Sequence, residues 1–492
     1  MRSKLAVLLP AVAALALPAL AQAPALPKHP DQLVFPPLTY EPPEPAGHRV
    51  VLKNGMVVYI AEDRALPLVQ ISLQMRWGGW LVPEGQEGLA GLVAAQMRRG
   101  GAGALSAEAL DERLDFLAAQ VSVGASDTGA SANLNALADN LDESLALFVA
   151  ILKEPRFQQD RLDLAREQML QEMKKRNDDA ADIEAAEWSP LLYGEGHVAS
   201  RFTTDASIKT LDRAALLAFH KRWVHPGQMV AAVSGAFDRK AMIAKLESAF
   251  AKWPTARPDV PPVPKDISPA APGVYRVQKD VNQGRVSIGL PGVMRGDPDV
   301  YALEVMNEIL GGSGFTSRIT RTVRSNEGLA YSAGSSLSFG VYYPGRFRAA
   351  FQSKSPTVAY ATSLVFDEIR KLREQGVTAE ELESIKANLV ATFPSNFESK
   401  ARAMSVFAAD EFTKRAPGFW KTYRDRIRAV TAEDVKRVAQ KHLVPEKMIV
   451  LVVGDQAAID RGDDRHPVKL EALAPGGKVV TLPLRDPMTM KR

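Results

Sequence analysis

Two segments of the chain repeat one pattern of apolar and polar positions. In residues 211–236 and again in residues 430–455, an amphipathic stretch of helical period stops near a proline and leads into a short apolar run. The two segments align without a gap, and the alignment places Pro226 on Pro445. The pattern predicts a helix followed by a buried strand, and its repetition indicates an internal duplication.

Each half begins with predicted strands and continues with predicted helices. Alternation and short apolar runs predict strands in residues 49–62, 70–77, 274–281 and 285–290. Stretches of helical period follow in residues 88–97, 106–120, 140–153, 161–178, 299–310, 357–375 and 378–393. Because strands and helices come in runs, the predicted fold class is α+β, with two homologous α/β halves that each contain a mostly antiparallel sheet packed with helices.

Two proline-rich stretches divide the chain. The first, residues 22–47, predicts an extended N-terminal arm, and the second, residues 254–272, predicts a linker. The linker separates two halves of similar length, residues 48–253 and 273–455, and the repeat recurs at an offset of about 220 residues. Residues 456–492 form a C-terminal tail in which no chemistry can be recognised.

The N-terminus has the three-part layout of a secretory signal. Arg2 and Lys4 precede an apolar run over residues 5–17, and small residues around Ala21 suit a cleavage site. The run is shorter than the roughly 20 residues that span a bilayer, and an uncleaved anchor is the alternative. We therefore expect a signal peptide over residues 1–21 and an exported chain, periplasmic or extracellular, that has no membrane attachment after cleavage.

Composition narrows the chemistry that the chain can perform. Lys and Arg number 61 against 57 Asp and Glu, so the charge balance offers no argument for a nucleic-acid partner. The chain has no cysteine, which excludes disulfides, thiolate zinc sites and a cysteine nucleophile. No two of the seven histidines lie three or four residues apart on one predicted helix, so histidine spacing predicts no zinc site.

One segment of the first half resembles a known zinc-binding helix. The sequence GQEGLAGLVAAQM, in the setting of two related halves, is similar to the pitrilysin (insulinase-like) metallopeptidase family. Active members carry H-x-x-E-H there, with two histidines that bind zinc and a glutamate that activates water. Here Gly91 and Ala95 replace the histidines, and Ala94 replaces the glutamate. The resemblance makes Glu172 a vestigial third ligand or an ordinary helix glutamate, and we expect no metal in this chain.

A second segment resembles the C-terminal half of the same family. The sequences LGGSGFTSRI and RSNEGLAYS are similar to those of subunits that hold substrate with an arginine and a tyrosine. The resemblance implies that Arg324 binds peptide carbonyls or a carboxylate, and that Tyr331 donates to the oxyanion. A cation at a helix end and a half-buried strand tyrosine are the structural alternatives. Gly311, Gly312 and Gly314 are candidate loop contacts with substrate, or simply a loop.

The resemblance implies a function that requires two chains. This chain would be the zinc-less, substrate-binding subunit of an exported heteromeric metallopeptidase that degrades peptides. A homologous partner would carry H-x-x-E-H and the zinc, and this chain would be inactive alone. A non-enzymatic scaffold and a peptide-binding protein from the same family are the alternatives.

Overall fold

The computed structural model describes residues 28–29, 32–33, 39–251, 253, 259–474 and 477–492. It contains two compact units, Met1–Tyr40 and Glu41–Arg492, and all strands and α-helices of the described residues belong to the second. The predicted signal peptide, most of the predicted arm and part of the predicted linker lie outside the described residues. No helix in the described part of the chain is both long and apolar enough to cross a bilayer.

The described strands form two six-stranded sheets. Sheet 1 contains β1 (Arg49–Val51), β2 (Val57–Glu62), β3 (Leu68–Met75), β4 (Gln120–Ala125), β5 (Ala130–Leu137) and β6 (Met229–Gly235). Sheet 2 contains β7 (Gly273–Gln278), β8 (Gln283–Pro291), β9 (Ala330–Ser338), β10 (Arg346–Lys354), β11 (Ile449–Gly454) and β12 (Val479–Thr481). Sheet 1 lies within residues 48–253, and sheet 2 takes five strands from residues 273–455 and β12 from the C-terminal tail.

The described α-helices also divide between the halves. Those of the first half are α1 (Leu89–Arg99), α2 (Ala107–Phe116), α3 (Leu141–Lys153), α4 (Gln159–Lys174), α5 (Ala180–Tyr193), α6 (Asp205–Thr210), α7 (Arg213–Trp223) and α8 (Arg239–Phe250). Those of the second half are α9 (Val300–Asn307), α10 (Val358–Gln375), α11 (Ala379–Thr392), α12 (Lys400–Thr413), α13 (Phe419–Arg428) and α14 (Ala432–His442). The tail adds α15 (Gln456–Arg461) and α16 (Leu470–Leu473).

The two sheets share one topology over five of their six strands. The strand order is β1-β2-β6-β3-β5-β4 in sheet 1 and β12-β7-β11-β8-β10-β9 in sheet 2. β2 runs parallel to β6 and β7 runs parallel to β11, whereas the strands from β6 to β4 and from β11 to β9 are antiparallel neighbours. The sixth strands differ, because β1 is antiparallel to β2 and β12 is parallel to β7. The predicted α+β class and mostly antiparallel sheets are confirmed.

The repeated segment has the predicted structure in both halves. α7 and α14 each precede a short 3₁₀ turn that begins at Pro226 or Pro445, and each turn leads into a strand buried at every position, β6 or β11. Continuous burial is expected of a central strand covered on both faces. The helix–strand unit is thus duplicated, as the sequence pattern predicts.

Two equivalent helices exchange places between the halves. α5 belongs to the first half but packs on β11 and β8 of sheet 2, whereas α12 belongs to the second half but packs on β6, β2 and β3 of sheet 1. Ile183, Leu191 and Leu192 of α5 join Val277 and Leu451 in one apolar cluster. Each sheet therefore depends on the other half of the chain for one of its covering helices.

Both ends of the second unit are packed rather than loose. Residues 41–47 of the predicted arm include the buried Pro42, and Glu44 forms an ion pair of 2.6 Å with Lys421 on α13. In the tail, Arg485 is buried and pairs with the buried Glu187 of α5. The C-terminal tail thus contributes the edge strand β12 and an ion pair that connects it to α5.

Candidate functional site

The helix that corresponds to the family's zinc-binding helix is α1. Gly91 and Ala95 lie on one face of α1, where Gly91 is exposed and Ala95 is half-buried, whereas Ala94 is buried. A Cβ atom placed on Gly91 would meet nothing within 4 Å, so the face has room for larger side chains. None of the three residues has a side-chain ligand atom, and α1 therefore does not fit a zinc ion.

A cleft of about 610 Å³ beside Ala95 is lined by arginines. Arg98 pairs with Asp111, and Arg161 pairs with Glu108. The third lining arginine, Arg99, forms no ion pair with another described residue. The surface beside the former zinc helix is therefore positively charged, which opposes the approach of a divalent cation.

Glu172, the vestigial ligand position, lies on the exposed side of α4. The α4 residues that line the cleft beside Ala95 are Leu164, Ala165 and Gln168. Glu172 lies one helical turn beyond Gln168, and its carboxylate makes no hydrogen bond or ion pair within the described part of the chain. The structure therefore does not place this carboxylate in the cleft.

One group of side chains elsewhere has the spacing of a metal site. The ligand atoms of Asp297, Asp299 and His442 lie within 4.8 Å of one another. The buried carboxylate of Asp299 already accepts hydrogen bonds from Arg437, Lys441 and His442. Burial raises the pKa of Asp299, but these three bonds outweigh it and hold the pKa well below its ordinary value. The cations neutralise Asp299, so the group is explained as a structural ion cluster.

The simplest expectation for the glycine-rich segment of the second half is a loop, but its first residues are helical. α9 continues into a π-helical turn, Glu308–Gly312, which packs against β9. A Cβ atom on Gly311 would lie 2.3 Å from the backbone nitrogen of Ser335 in β9, so only glycine permits this approach. The helix predicted to end at Leu310 therefore extends further, and Gly311 has a packing role.

The other two glycines are exposed and have different local constraints. A Cβ atom on Gly312 would lie 2.5 Å from Oε1 of Glu308, whereas one on Gly314 would meet nothing within 4 Å. Gly314 has a φ of +63°, a left-handed conformation that favours glycine and turns the chain after the π-helical turn. These constraints account for both glycines without a bound ligand.

The structure brings Arg324 and Tyr331 together and adds Phe315 to them. The Cζ atom of Arg324 lies 4.4 Å from the ring centroid of Phe315 and 5.0 Å from that of Tyr331. Tyr331 is 88% exposed and Phe315 is 67% exposed. Arg324, on a second π-helical segment over Thr320–Asn326, forms no ion pair with any described residue. The cluster is a cation held between exposed rings, with no anionic partner.

A second arginine over an exposed ring shows what is unusual about this cluster. The Cζ atom of Arg113 lies 4.7 Å from the ring centroid of Phe116, which is 76% exposed. The guanidinium of Arg113, however, donates to both carboxylate oxygens of Glu143. Arg324 lacks such a partner, so its N–H groups are available to a carboxylate or to carbonyl oxygens.

Tyr331 also faces a polar cleft on sheet 2. The cleft has a volume of about 510 Å³, and its lining includes Tyr331, Arg285, Gln352 and Lys354. Arginine, lysine and amide side chains donate hydrogen bonds, as a peptide backbone requires. The sequence motif identifies Arg324 and Tyr331 as candidates, whereas Phe315 carries no separate signal and is recognised only from its contact with Arg324.

Comparisons with known proteins give one family match and several relatives. Residues 210–389 match the family model described as the peptidase M16 inactive domain. The chain is 23% identical to the non-peptidase homolog YmxG of Helicobacter pylori, over 83% of this chain and 94% of that protein. It is 26% identical to an uncharacterized zinc protease of Mycobacterium bovis, over 65% of this chain and 73% of that protein.

Solved structures show the same two-half fold. A peptidase M16 inactive domain from Pseudomonas fluorescens superposes with a TM-score of 0.75 at 25% identity, over 83% of this chain and 98% of that chain. The periplasmic protease PqqL of Escherichia coli superposes with a TM-score of 0.70 at 16% identity, over 83% of this chain but only 45% of that chain. The resemblance to the pitrilysin-type metallopeptidases is confirmed: residues 210–389 match the peptidase M16 inactive domain, and the chain is similar in fold to a solved domain of that kind.

Proposed function

We propose that this chain is the zinc-less, substrate-binding subunit of an exported two-chain M16 metallopeptidase that degrades peptides. The observation that carries the proposal is the contrast between α1 and the Arg324 cluster. α1 offers no ligand atom at the three positions of the zinc motif, whereas Tyr331 is exposed and the half-buried Arg324 forms no ion pair with a described residue. The chain keeps groups that can bind a peptide and lacks those that would hydrolyse it.

Arg324 and Tyr331 suit two separate tasks in such an enzyme. The guanidinium of Arg324 would donate to carbonyl oxygens of the peptide or to its carboxylate and so fix its position. The phenol of Tyr331 would donate to the oxygen that becomes negatively charged as the scissile carbonyl turns tetrahedral. A homologous partner chain would supply the zinc and the water that it activates. Activity would therefore depend on assembly of the two chains.

The lengths of the similar proteins support a pairing of two such units. Most of this chain matches only 45% of PqqL, so that periplasmic protease has room for a second unit of similar size in one polypeptide. Relatives named zinc protease are similar to this chain over most of their length. A chain of this size is thus comparable to one half of a longer enzyme, and the periplasmic location of PqqL supports export.

The first experiment tests the need for a partner. This chain is purified from its native source together with any H-x-x-E-H homologue that accompanies it, and the two are then separated. Cleavage of a quenched peptide is assayed with this chain alone, with the mixture of the two chains, and with the mixture plus a chelator. We expect cleavage by the mixture only, and we expect the chelator to abolish it. Cleavage by this chain alone would overturn the assignment. If the cleavage rate does not rise when the two chains are mixed, the non-enzymatic scaffold is favoured.

The second experiment tests the cluster in the active mixture. Tyr331→Phe removes one oxyanion donor and is expected to lower kcat about 100-fold. Arg324→Ala is expected to raise KM, because it removes a group that positions the peptide. Phe116→Leu is the matched control, since it alters the other arginine–phenylalanine contact and should leave both constants unchanged. Normal kinetics in both variants of the cluster would remove it from the mechanism.

A further inference from the structure

A cleft of about 910 Å³ lies between equivalent elements of the two halves. Its lining includes the tip of the β4–β5 hairpin, residues 126–129, and the tip of the β9–β10 hairpin, residues 339–345. The C-terminal ends of the exchanged helices also contribute, with Tyr193 from α5 and Thr413 from α12. Its volume is typical of a ligand pocket, and it shares no lining residue with the Arg324 cluster.

Uncharged polar side chains and small or apolar residues share the walls of this cleft. Side chains of β3 and β5 that face it include Ser72, Gln74, Ser131 and Asn133. Ser72 donates to Asn133, and Asn133 donates to Ser122. The side chains of Gln74 and Ser131 form no hydrogen bond with a described residue, so they require partners from water or a ligand. The cleft is therefore suited to a ligand with several donors and acceptors along its length.

Two opposite charges face the same cleft without pairing. Asp127 lies at the tip of the β4–β5 hairpin, and Arg346 begins β10. Neither side chain makes a hydrogen bond or an ion pair with another residue of the described ranges. Asp127 is open to solvent at the mouth of the cleft, but the protein around it raises the pKa of its carboxyl group. A carboxylate so placed gains from a cationic partner.

Tyr343 lies within reach of both charges. Burial and the charge of Asp127 together raise the pKa of Tyr343 to about 12, and the charge of Arg346 opposes them. Tyr343 also packs edge-on against Tyr193, with ring centroids 5.4 Å apart, so its ring has a fixed position in the wall. The cleft thus includes an anion, a cation and an ordered aromatic surface among its lining groups.

We propose that this cleft binds a short peptide with free termini, whose ammonium group pairs with Asp127 and whose carboxylate pairs with Arg346. A zwitterion neutralises both unpaired charges at once, whereas a ligand of one charge leaves the other unpaired. The amide groups of the peptide match the hydroxyl and amide walls, and the tyrosine rings pack against its apolar atoms. The site would bind a short peptide at a place separate from the Arg324 cluster.

Calorimetric titration of the purified full chain with alanine peptides of two to five residues tests this proposal. We expect one peptide to bind per chain, and we expect acetylation of the N-terminus or amidation of the C-terminus each to weaken binding about tenfold or more. In Asp127→Asn, acetylation should have no further effect. In Arg346→Gln, amidation should have none. Asp115→Asn, an exposed carboxylate on α2, is the control and should bind normally.

Several results would overturn the proposal. These are equal affinity for free and capped peptides, tightest binding by free alanine, and no binding of any alanine peptide at millimolar concentration. If either variant unfolds, the capped peptides on the unaltered chain decide the question alone. The same titration in Arg324→Ala, which removes the other proposed peptide contact, isolates the cleft. Loss of the response to capping in that variant would assign the binding to the Arg324 cluster, so the outcome is distinguishable from the test of the peptidase subunit.

Discussion

The exchanged helices α5 and α12 hold equivalent positions but attach by different chemistry. Both have 14 residues, and each crosses to the sheet of the other half. At their fifth and eighth positions, α5 carries Glu184 and Glu187, whereas α12 carries Met404 and Phe407. All four side chains are buried. The same place in a duplicated fold therefore accepts either charged or apolar contacts.

The carboxylates of α5 are held by arginines from the second half. Glu184 accepts hydrogen bonds from Arg285 at 2.7 Å and Arg348 at 2.8 Å. Glu187 pairs with Arg485 at 2.9 Å and with Arg492. Buried ion pairs add little net stability over apolar packing, but they are costly to break. These pairs connect α5 to sheet 2 through Arg285 and Arg348 and to the tail through Arg485 and Arg492.

The side chains of α12 pack against aromatic residues instead. The ring centroid of Phe407 lies 5.8 Å from that of Tyr59, and the guanidinium of Arg76 lies 4.6 Å from the ring centroid of Phe412. Its ion pair, between Glu411 and Arg49, is partly exposed. Apolar packing is insensitive to pH, whereas ion pairs are not, so the two helices should respond differently to substitution and to acid.

The largest effect is expected from Glu184→Ala. This change leaves Arg285 and Arg348 without their partner, and breaking a buried pair costs about 3–5 kcal/mol in the free energy of unfolding. Urea denaturation measures the loss. Glu112→Ala, an exposed carboxylate on α2, is the control and should stay within about 0.5 kcal/mol. A loss below 1 kcal/mol in Glu184→Ala would show that α5 does not depend on its charges.

A somewhat smaller effect is expected when the chain is truncated after Leu482. Truncation removes Arg485 and Arg492 and leaves the buried carboxylate of Glu187 unpaired, at a cost of about 3 kcal/mol. Adding Glu187→Gln to the truncated chain should recover part of the loss in urea denaturation, because the charge is removed. If the second change lowers stability further, the tail acts through contacts other than this pair.

A third effect is a loss of stability in acid that is specific to α5. Burial raises the pKa of Glu184, but Ser287, Arg348 and Arg285 outweigh it and hold the pKa below its ordinary value of 4.5. The stabilisation is therefore complete above that value and is lost as the pH falls through the lower pKa of the folded chain. Urea denaturation from pH 7 to pH 3 should show a smaller decline in Glu184→Gln than in the unaltered chain; equal declines would contradict this.

The smallest effect is expected from Glu411→Gln on α12. The side chains of Glu411 and Arg49 are 30% and 39% exposed, and pairs of this kind contribute at most about 1 kcal/mol. The same substitution at Glu184 should cost clearly more in parallel denaturation measurements. Similar losses at the two positions would remove the distinction between the two helices.

The parts of the fold that were predictable are those with strong local patterns. The repeated helix–strand unit has a clear helical period, a proline and a continuous apolar run. The strands β4, β5, β9 and β10 were missed, because sequences such as ASANLNAL in β5 are rich in small and polar residues. α5 was missed for another reason: its buried positions include Glu184 and Glu187, whose arginine partners lie far away in the sequence.

The candidate site was predictable only as far as its motifs extend. The resemblance identifies Gly91, Ala95, Arg324 and Tyr331 by type and spacing, and the structure then places the last two in contact with one ring cluster. Phe315 and the cleft between the hairpin tips arise from tertiary contacts, which local sequence patterns do not report. The charges that remain unpaired in a folded chain can be recognised only when all their neighbours are known.

The exchange of α5 and α12 also determines when each sheet can be fully covered during synthesis of the chain. One layer over sheet 1 is missing until the ribosome has translated Thr413, although the last strand of that sheet ends at Gly235. For that interval the nascent first half has an open surface that a holdase chaperone can bind. A polypeptide that ends at the linker would lack α12 and would leave this surface of sheet 1 uncovered.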